Sequence, residues 1–256
     1  IERNDSKLAL QAAQDASAAL PESIETLYSL AQAEVFNRQF NQALITVGKI
    51  ISLQPENIQP LILQAEIQTM MPDRAGAVQS LKRALQLKPD SLAAQLQLIK
   101  LEVGSGHMKQ ARAVVNKIKV QRSDDALAKM IEGDFEQVQK NWPAAAAAYR
   151  AALAKQAIGE ISVKLHRVLV AQGKNDEAVA HENLWLKQHP KDAEFLIYLG
   201  DMAMNRAAYA QAEQRFKTVV ELQPNNAVAL NNVAWLLSRE RRPGAQALAE
   251  QAVKLS

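Results

Sequence analysis

AEFLIYLGDMAMNRAAYAQAEQRFKTVVELQPNN, residues 193–226, holds two apolar segments separated by a short polar turn and closed by a proline and two asparagines. Apolar side chains recur three and four residues apart in each half, the spacing of one helix face. The same closing phrase returns along the chain: LQPEN, LKPDS, KQHPKD and LQPNN each end one apolar segment and open the next. Prolines stand at 21, 55, 89, 190 and 224, so the intervals 21–55, 55–89 and 190–224 are each 34 residues. An alanine precedes each of these prolines by 12 residues, at Ala9, Ala43, Ala77, Ala178 and Ala212. A proline removes a backbone donor and biases the residue before it away from helix, while a following Asn, Asp or Ser caps the free amides of the next helix. Such a period means stacked helical units, each burying its apolar face against its neighbours.

The 34-residue period and its marks, Leu196, Leu199, Gly200, Tyr209, Ala212, Phe216 and Pro224 in the repeat just quoted, resemble the tetratricopeptide repeat over nearly the whole chain. The resemblance implies an all-α fold, an α-solenoid of antiparallel helix pairs wound into a superhelix. One array is expected over 1–256: a half repeat at 1–23 with residues 7–21 as its helix B, then repeats 24–57, 58–91, 92–125, 126–158, 159–192, 193–226 and 227–256. Small residues Ala31, Ala65, Gly133, Gly200 and Ala234 let helix A approach helix B, and Phe40, Trp142 and Tyr209 plug the turn between them. His166 takes a place where a small residue is usual, the fourth repeat is one residue short, and the last turn, RERRPG, is expected about one residue shorter than the others. Neither end carries a polar cap, which suggests a segment of a longer array.

Composition agrees with helices and narrows the chemistry. The 256 residues are 48% hydrophobic and only 5% aromatic, with no cysteine and a formal charge of +3. A substantial core is affordable, disulfides and thiolate chemistry are excluded, and a general appetite for nucleic acid is not implied. No run of 18 apolar residues could span a bilayer, and residues 1–20 lack the pattern of a signal peptide. His107, His166, His181 and His189 form no HExxH or i, i+4 ligand pair, so no metal or other cofactor is expected. GSGHMK at 104–109 lacks phosphate-loop spacing and falls at a helix turn, Asp124 and Asp125 read as caps, and no nucleophile motif occurs; the segment is read as non-catalytic.

The remaining candidates are surfaces. In the family that the repeat resembles, helix A lines the concave face, with its fifth and ninth positions turned into the groove. The fifth positions are Tyr28, Ile62, Leu96, Met130, Val163, Ile197 and Asn231, and the ninth include Lys100, Asp134, Arg167, Asp201 and Trp235. Either they form an apolar rail edged by polar groups that takes a protein or peptide segment, or they pack between neighbouring A helices. A chaperone-type carboxylate clamp is disfavoured, because Ile197, Asp201, Asn231 and Trp235 do not supply its basic and amide set. The acid-free stretch KQARAVVNKIKVQR, 109–122, is a solvated face or a contact for anionic polysaccharide or lipid headgroups.

A narrower resemblance rests on EGDFEQVQKNWPAAAAAYRAAL, VKLHRVLVAQGKNDEAVAHENLWLKQHPKDAEFLIYLGD and LQPNNAVALNNVAWLL, between residues 132 and 237. This wording is similar to the repeat lipoproteins of bacterial PEP-CTERM/exosortase systems. It implies an exported scaffold, periplasmic or held at the outer membrane by a lipid anchor upstream of this segment, serving exopolysaccharide production and export or protein sorting. The alternatives are a cytosolic adaptor and a regulatory segment of a larger enzyme.

Overall fold

The computed structural model describes residues 2–255, with side chains from residue 5 onward. The described residues form α-helices joined by short turns and fall into two compact units, residues 1–123 and 124–256.

In the first unit α1 (Glu2–Ala19) precedes three helix pairs: α2 (Ile24–Phe36) with α3 (Phe40–Leu53), α4 (Ile58–Met70) with α5 (Arg74–Leu87), and α6 (Leu92–Gly104) with α7 (Met108–Gln121). The second unit holds four pairs: α8 (Ala126–Val138) with α9 (Trp142–Lys155), α10 (Gly159–Ala171) with α11 (Asn175–Gln188), α12 (Ala193–Asn205) with α13 (Tyr209–Leu222), and α14 (Ala227–Arg239) with α15 (Ala245–Lys254). Each even-numbered helix from α2 to α14 begins at one of the residues given above as a repeat start. The lone α1 starts at Glu2, five residues earlier than the period suggests, and packs on α2. Its Leu10 is buried, whereas Ala9 is exposed, because the face that a B helix turns to its own A helix has no preceding helix here.

The joints between pairs are built by capping. Ser23, Asn57, Ser91, Asp125, Asp192 and Asn226 each accept a backbone N–H of the following helix through the side chain. At the opening joint the cap is the second asparagine, Asn226, which takes the Ala229 N–H at 3.0 Å. The shortened fourth repeat has Ile158 at this place, with no side-chain cap.

Turns within a pair usually reverse through one left-handed residue: Arg38, Gly106, Lys140, Gly173, Ala207 and Arg241 all have positive φ. The second pair departs, since Pro72 holds φ negative; there Asp73 caps α5 by accepting Gly76 N–H at 2.9 Å. GSGHMK is the turn from α6 to α7, with Gly106 at φ 77°. The last turn is longer than expected, not shorter: residues 240–244 separate α14 from α15, because Pro243 and the left-handed Gly244, at φ 91°, delay the new helix.

Packing within pairs follows the small-residue logic, with a different plug. Ala31 and Ala65 are buried at 0% and 1% exposure, and so are the B-helix alanines Ala43, Ala77, Ala178 and Ala212. A Cβ on Gly200 would meet the Phe216 ring at 2.7 Å, and one on Gly133 would run into Tyr149. Phe216 and Tyr149, both fully buried, fill the space that these glycines leave, while Phe40, Trp142 and Tyr209 sit half-buried at the first residue of their B helices. With the bulky His166 at the corresponding place, α10 and α11 pair less closely than their neighbours, and a cavity of about 120 Å³ opens among α10, α11, α12 and α13.

Candidate functional site

The two units present their A helices separately. In the first, Tyr28 is half-buried with its hydroxyl unpartnered, and burial raises its pKa. Ile62 is 6% exposed and belongs to the core, whereas Leu96 is 40% exposed. Beside Leu96 a hollow of about 520 Å³ lies between α4 and α6, lined by Glu66, Met70, Gln97, Lys100 and Leu101. Gln97 Nε2 donates to Glu66 Oε1 at 2.6 Å across it, and Lys100 stands exposed at its edge.

In the second unit Val163 is 8% exposed, locked among Trp185, Phe195 and Leu199, and Met130 and Ile197 pack against core clusters. Of the fifth positions, Ile62 and Val163 are interhelix packing, Tyr28, Met130 and Ile197 are half-buried, and Leu96 and Asn231 are exposed. The surface belongs to the ninth positions and their partners. Asp134 accepts from Tyr149 Oη at 2.7 Å and from Lys164 Nζ at 2.8 Å. Burial, and after it the hydrogen bond to Asp134, pushes the Tyr149 phenol up, so it stays a proton donor. Arg167 lies 5.6 Å from the Tyr198 ring centroid, and Tyr198 Oη is 2.9 Å from His166 Nδ1. Asp201 is exposed, yet desolvation raises its carboxyl pKa.

Trp235 is the most distinctive of these groups. It is 46% exposed, its ring centroid lies 5.9 Å from that of Tyr209, and the Arg239 guanidinium stacks 4.0 Å over Tyr209 and 5.9 Å from Trp235. Two rings tilted by 50° and a guanidinium over one of them form an amphipathic cluster that offers both apolar area and hydrogen-bond donors. Sequence reasoning selected Arg167, Asp201 and Trp235 but missed Lys164, Tyr198, Tyr209 and Arg239. Lys164 and Tyr198 each follow a fifth position by one residue, and that adjacency was the available signal.

Another row was missed. Glu34, Glu102 and Glu136 share one place in the 34-residue repeat, with Gln68 at that place in between, and are 5%, 3% and 5% exposed. They hold the inner ends of the hairpins: Thr46 donates to Glu34 at 2.8 Å, His107 Nδ1 lies 2.8 Å from Glu102, and Asn141 donates to Glu136 at 2.9 Å. Burial raises the Glu34 pKa, partly offset by the Thr46 bond. Among the described residues no group of three or more His, Asp or Glu is placed to hold a metal ion, and no helix is long and apolar enough to cross a membrane.

Paired helices with small-residue contacts, capped joints and a 34-residue spacing coincide with a family match over part of the chain. The profile of the tetratricopeptide repeat matches residues 73–134, which span α5 to α8. The fold is that of a tetratricopeptide-repeat array. Solved structures agree: a tetratricopeptide repeat protein from Parabacteroides merdae aligns over 92% of this chain and 94% of its own, with a TM-score of 0.57 and 16% identity. Yeast Tom70 aligns over 91% of this chain and 50% of its own, with a TM-score of 0.64 and 15% identity. Cut9 in the APC/C hetero-tetramer Cut9–Hcn1 aligns over 92% and 47%, with a TM-score of 0.51 and 15% identity. The chain thus spans about half the length of the Tom70 and Cut9 chains. No curated protein sequence matches it. The tetratricopeptide fold is generally an interaction module; Ser162 Oγ lies 2.9 Å from His181 Nε2, with Ser162 fully buried in the second unit.

Proposed function

We propose that the chain is a non-catalytic scaffold that binds a protein segment on the exposed faces of its A helices. The observation that carries this reading is the Trp235–Tyr209–Arg239 cluster. A Trp left 46% exposed beside a stacked Arg has the composition of an interface anchor. In the first unit Leu96 and the hollow beside Lys100 offer a second, smaller purchase. Cut9, one of the similar folds, was solved in a complex with Hcn1, which supports protein assembly as the use of this architecture.

The test is a random peptide library selected on the purified chain, followed by affinity measurements on Trp235→Ala and Leu96→Asp. Both side chains are substantially exposed, so helical content and melting should hold. Binding should fall by about tenfold or more for peptides on the respective face, in line with loss of an interface anchor. Selected peptides that bind both variants as they bind the parent would sink the reading. Ile62 and Val163 are unsuitable positions, since a charge there would enter the core.

The setting we propose is the bacterial envelope, in exopolysaccharide production and export or PEP-CTERM protein sorting, with attachment through an upstream lipid anchor. Its support is the wording between residues 132 and 237. Fractionation of the source cells with metabolic lipid labelling tests it: a labelled protein in the envelope fraction is expected, and an unlabelled cytosolic one refutes it in favour of a cytosolic adaptor.

A further inference from the structure

The B helices of the two units differ sharply in charge. In the second unit they are tied to one another by ion pairs: Arg150 of α9 reaches Glu177 of α11 at 2.6 Å, and Arg215 of α13 reaches Glu182 of α11 at 2.6 Å. The hollow between α9 and α11 therefore has its charges matched across it, with Glu177 also held by Lys174 at 2.7 Å.

In the first unit α3, α5 and α7 carry no acid with which one could pair to the next. α5, RAGAVQSLKRALQL, and α7, MKQARAVVNKIKVQ, contain basic residues and no Asp or Glu; α3 likewise has Lys49 and no acid. Between α5 and α7, with α6 as floor, runs a groove of about 830 Å³. Lys82 on one bank and Lys117 on the other are exposed and make no ion pair among the described residues. Leu85, Leu98, Val114 and Val120 supply the apolar lining, and Val120 is 81% exposed. The single carboxylate in the lining, Glu102, is 3% exposed and lies against His107 Nδ1, so it does not neutralise the banks.

We infer that this groove between α5 and α7 docks an acidic peptide segment of a partner protein. Its carboxylates would pair with Lys82 and Lys117, and apolar side chains between them would cover Leu85 and Val120. The charge is complementary to an anion, while the apolar lining asks for hydrophobic side chains. No aromatic ring lines the groove among the described residues, so it lacks the stacking platform that a sugar chain would use. An amphipathic acidic segment satisfies both demands at once. This surface has B helices as its banks and does not depend on the Trp235 cluster.

The test selects a random peptide library on the purified chain, elutes with high salt, and measures the commonest peptide by fluorescence polarisation. The eluted pool should be rich in Asp and Glu interleaved with Leu, Ile or Phe at three- and four-residue spacing. Affinity should fall about tenfold or more in Lys82→Glu/Lys117→Glu and again in Val120→Asp, and should weaken as salt rises. Trp235→Ala should leave it unchanged, which separates this surface from the A-helix reading. All three groove positions are exposed, and unchanged circular dichroism and melting confirm that the variants fold. The inference is overturned by a pool without acidic enrichment, by binding that survives the charge reversal or the Val120 change, or by sodium polygalacturonate binding more tightly than the peptide.

Discussion

Acidification should destabilise the second unit through His166, in a pH window that the geometry defines. The imidazole is 4% exposed and its Nδ1 faces Tyr198 Oη at 2.9 Å. Burial first, then the charges of His181 and Arg206, hold its pKa at about 4 against an ordinary 6.5. Between those values the unfolded chain binds more protons than the folded one, so stability rises with pH across the window. The contribution is fully present above the unfolded value, is lost as pH falls toward about 4, and changes no further below. A gap of this size corresponds to roughly 3 kcal/mol, a large share of the stability of an ordinary domain. His181, also depressed, chiefly by burial, acts in the same direction. Urea denaturation followed by tryptophan fluorescence reads the right part of the chain, because Trp142, Trp185 and Trp235 all lie in the second unit. His166→Leu should flatten the profile, leaving the smaller slope from His181 and the carboxylates. Parallel profiles for parent and variant would refute the reasoning, as would a His166 imidazole seen by NMR to titrate near its ordinary value in the folded protein.

Other outcomes follow from the packing. Gly200→Ala should destabilise by about 1–3 kcal/mol although alanine favours helix, because the new methyl meets the Phe216 ring; a stabilised variant in thermal melting would contradict the close contact. Asn226→Ala should cost about 1 kcal/mol by removing the acceptor of the Ala229 N–H, and Asn225→Ala should cost less, as measured by the same melts. Gly106→Ala forces a side chain into the left-handed turn between α6 and α7 and should cost about 1–2 kcal/mol in the first unit, read by circular dichroism.

What was legible in the sequence was local. A proline that ends a helix and a Ser, Asn or Asp that caps the next act within a few residues, so the starts of the A helices, even-numbered from α2 to α14, fall on the repeat spacing. The fate of the fifth positions could not, because it depends on which neighbouring helix covers that flank. Ile62 and Leu96 share one register, yet Ile62 is core and Leu96 is surface; Val163 is drawn inward by Trp185 and Phe195 from two other helices. Glu34, Glu102 and Glu136 escaped notice for the same reason, since their burial depends on Thr46, His107 and Asn141, which meet them across the hairpins. The last turn failed for a similar reason: nothing in RERRPG alone says whether Pro243 opens the helix or postpones it, and the left-handed Gly244 postpones it.

The central claim, that exposed A-helix side chains hold a protein segment, is tested most directly by placing p-benzoylphenylalanine at Trp235 in the full-length protein and irradiating cells of the source organism. The account predicts a discrete, protease-sensitive polypeptide adduct at Trp235 that is absent when the photoreactive group replaces Val138, exposed at the end of α8. Equal labelling at both positions, no adduct at Trp235, or an adduct that resists protease and yields to glycosidases would contradict it.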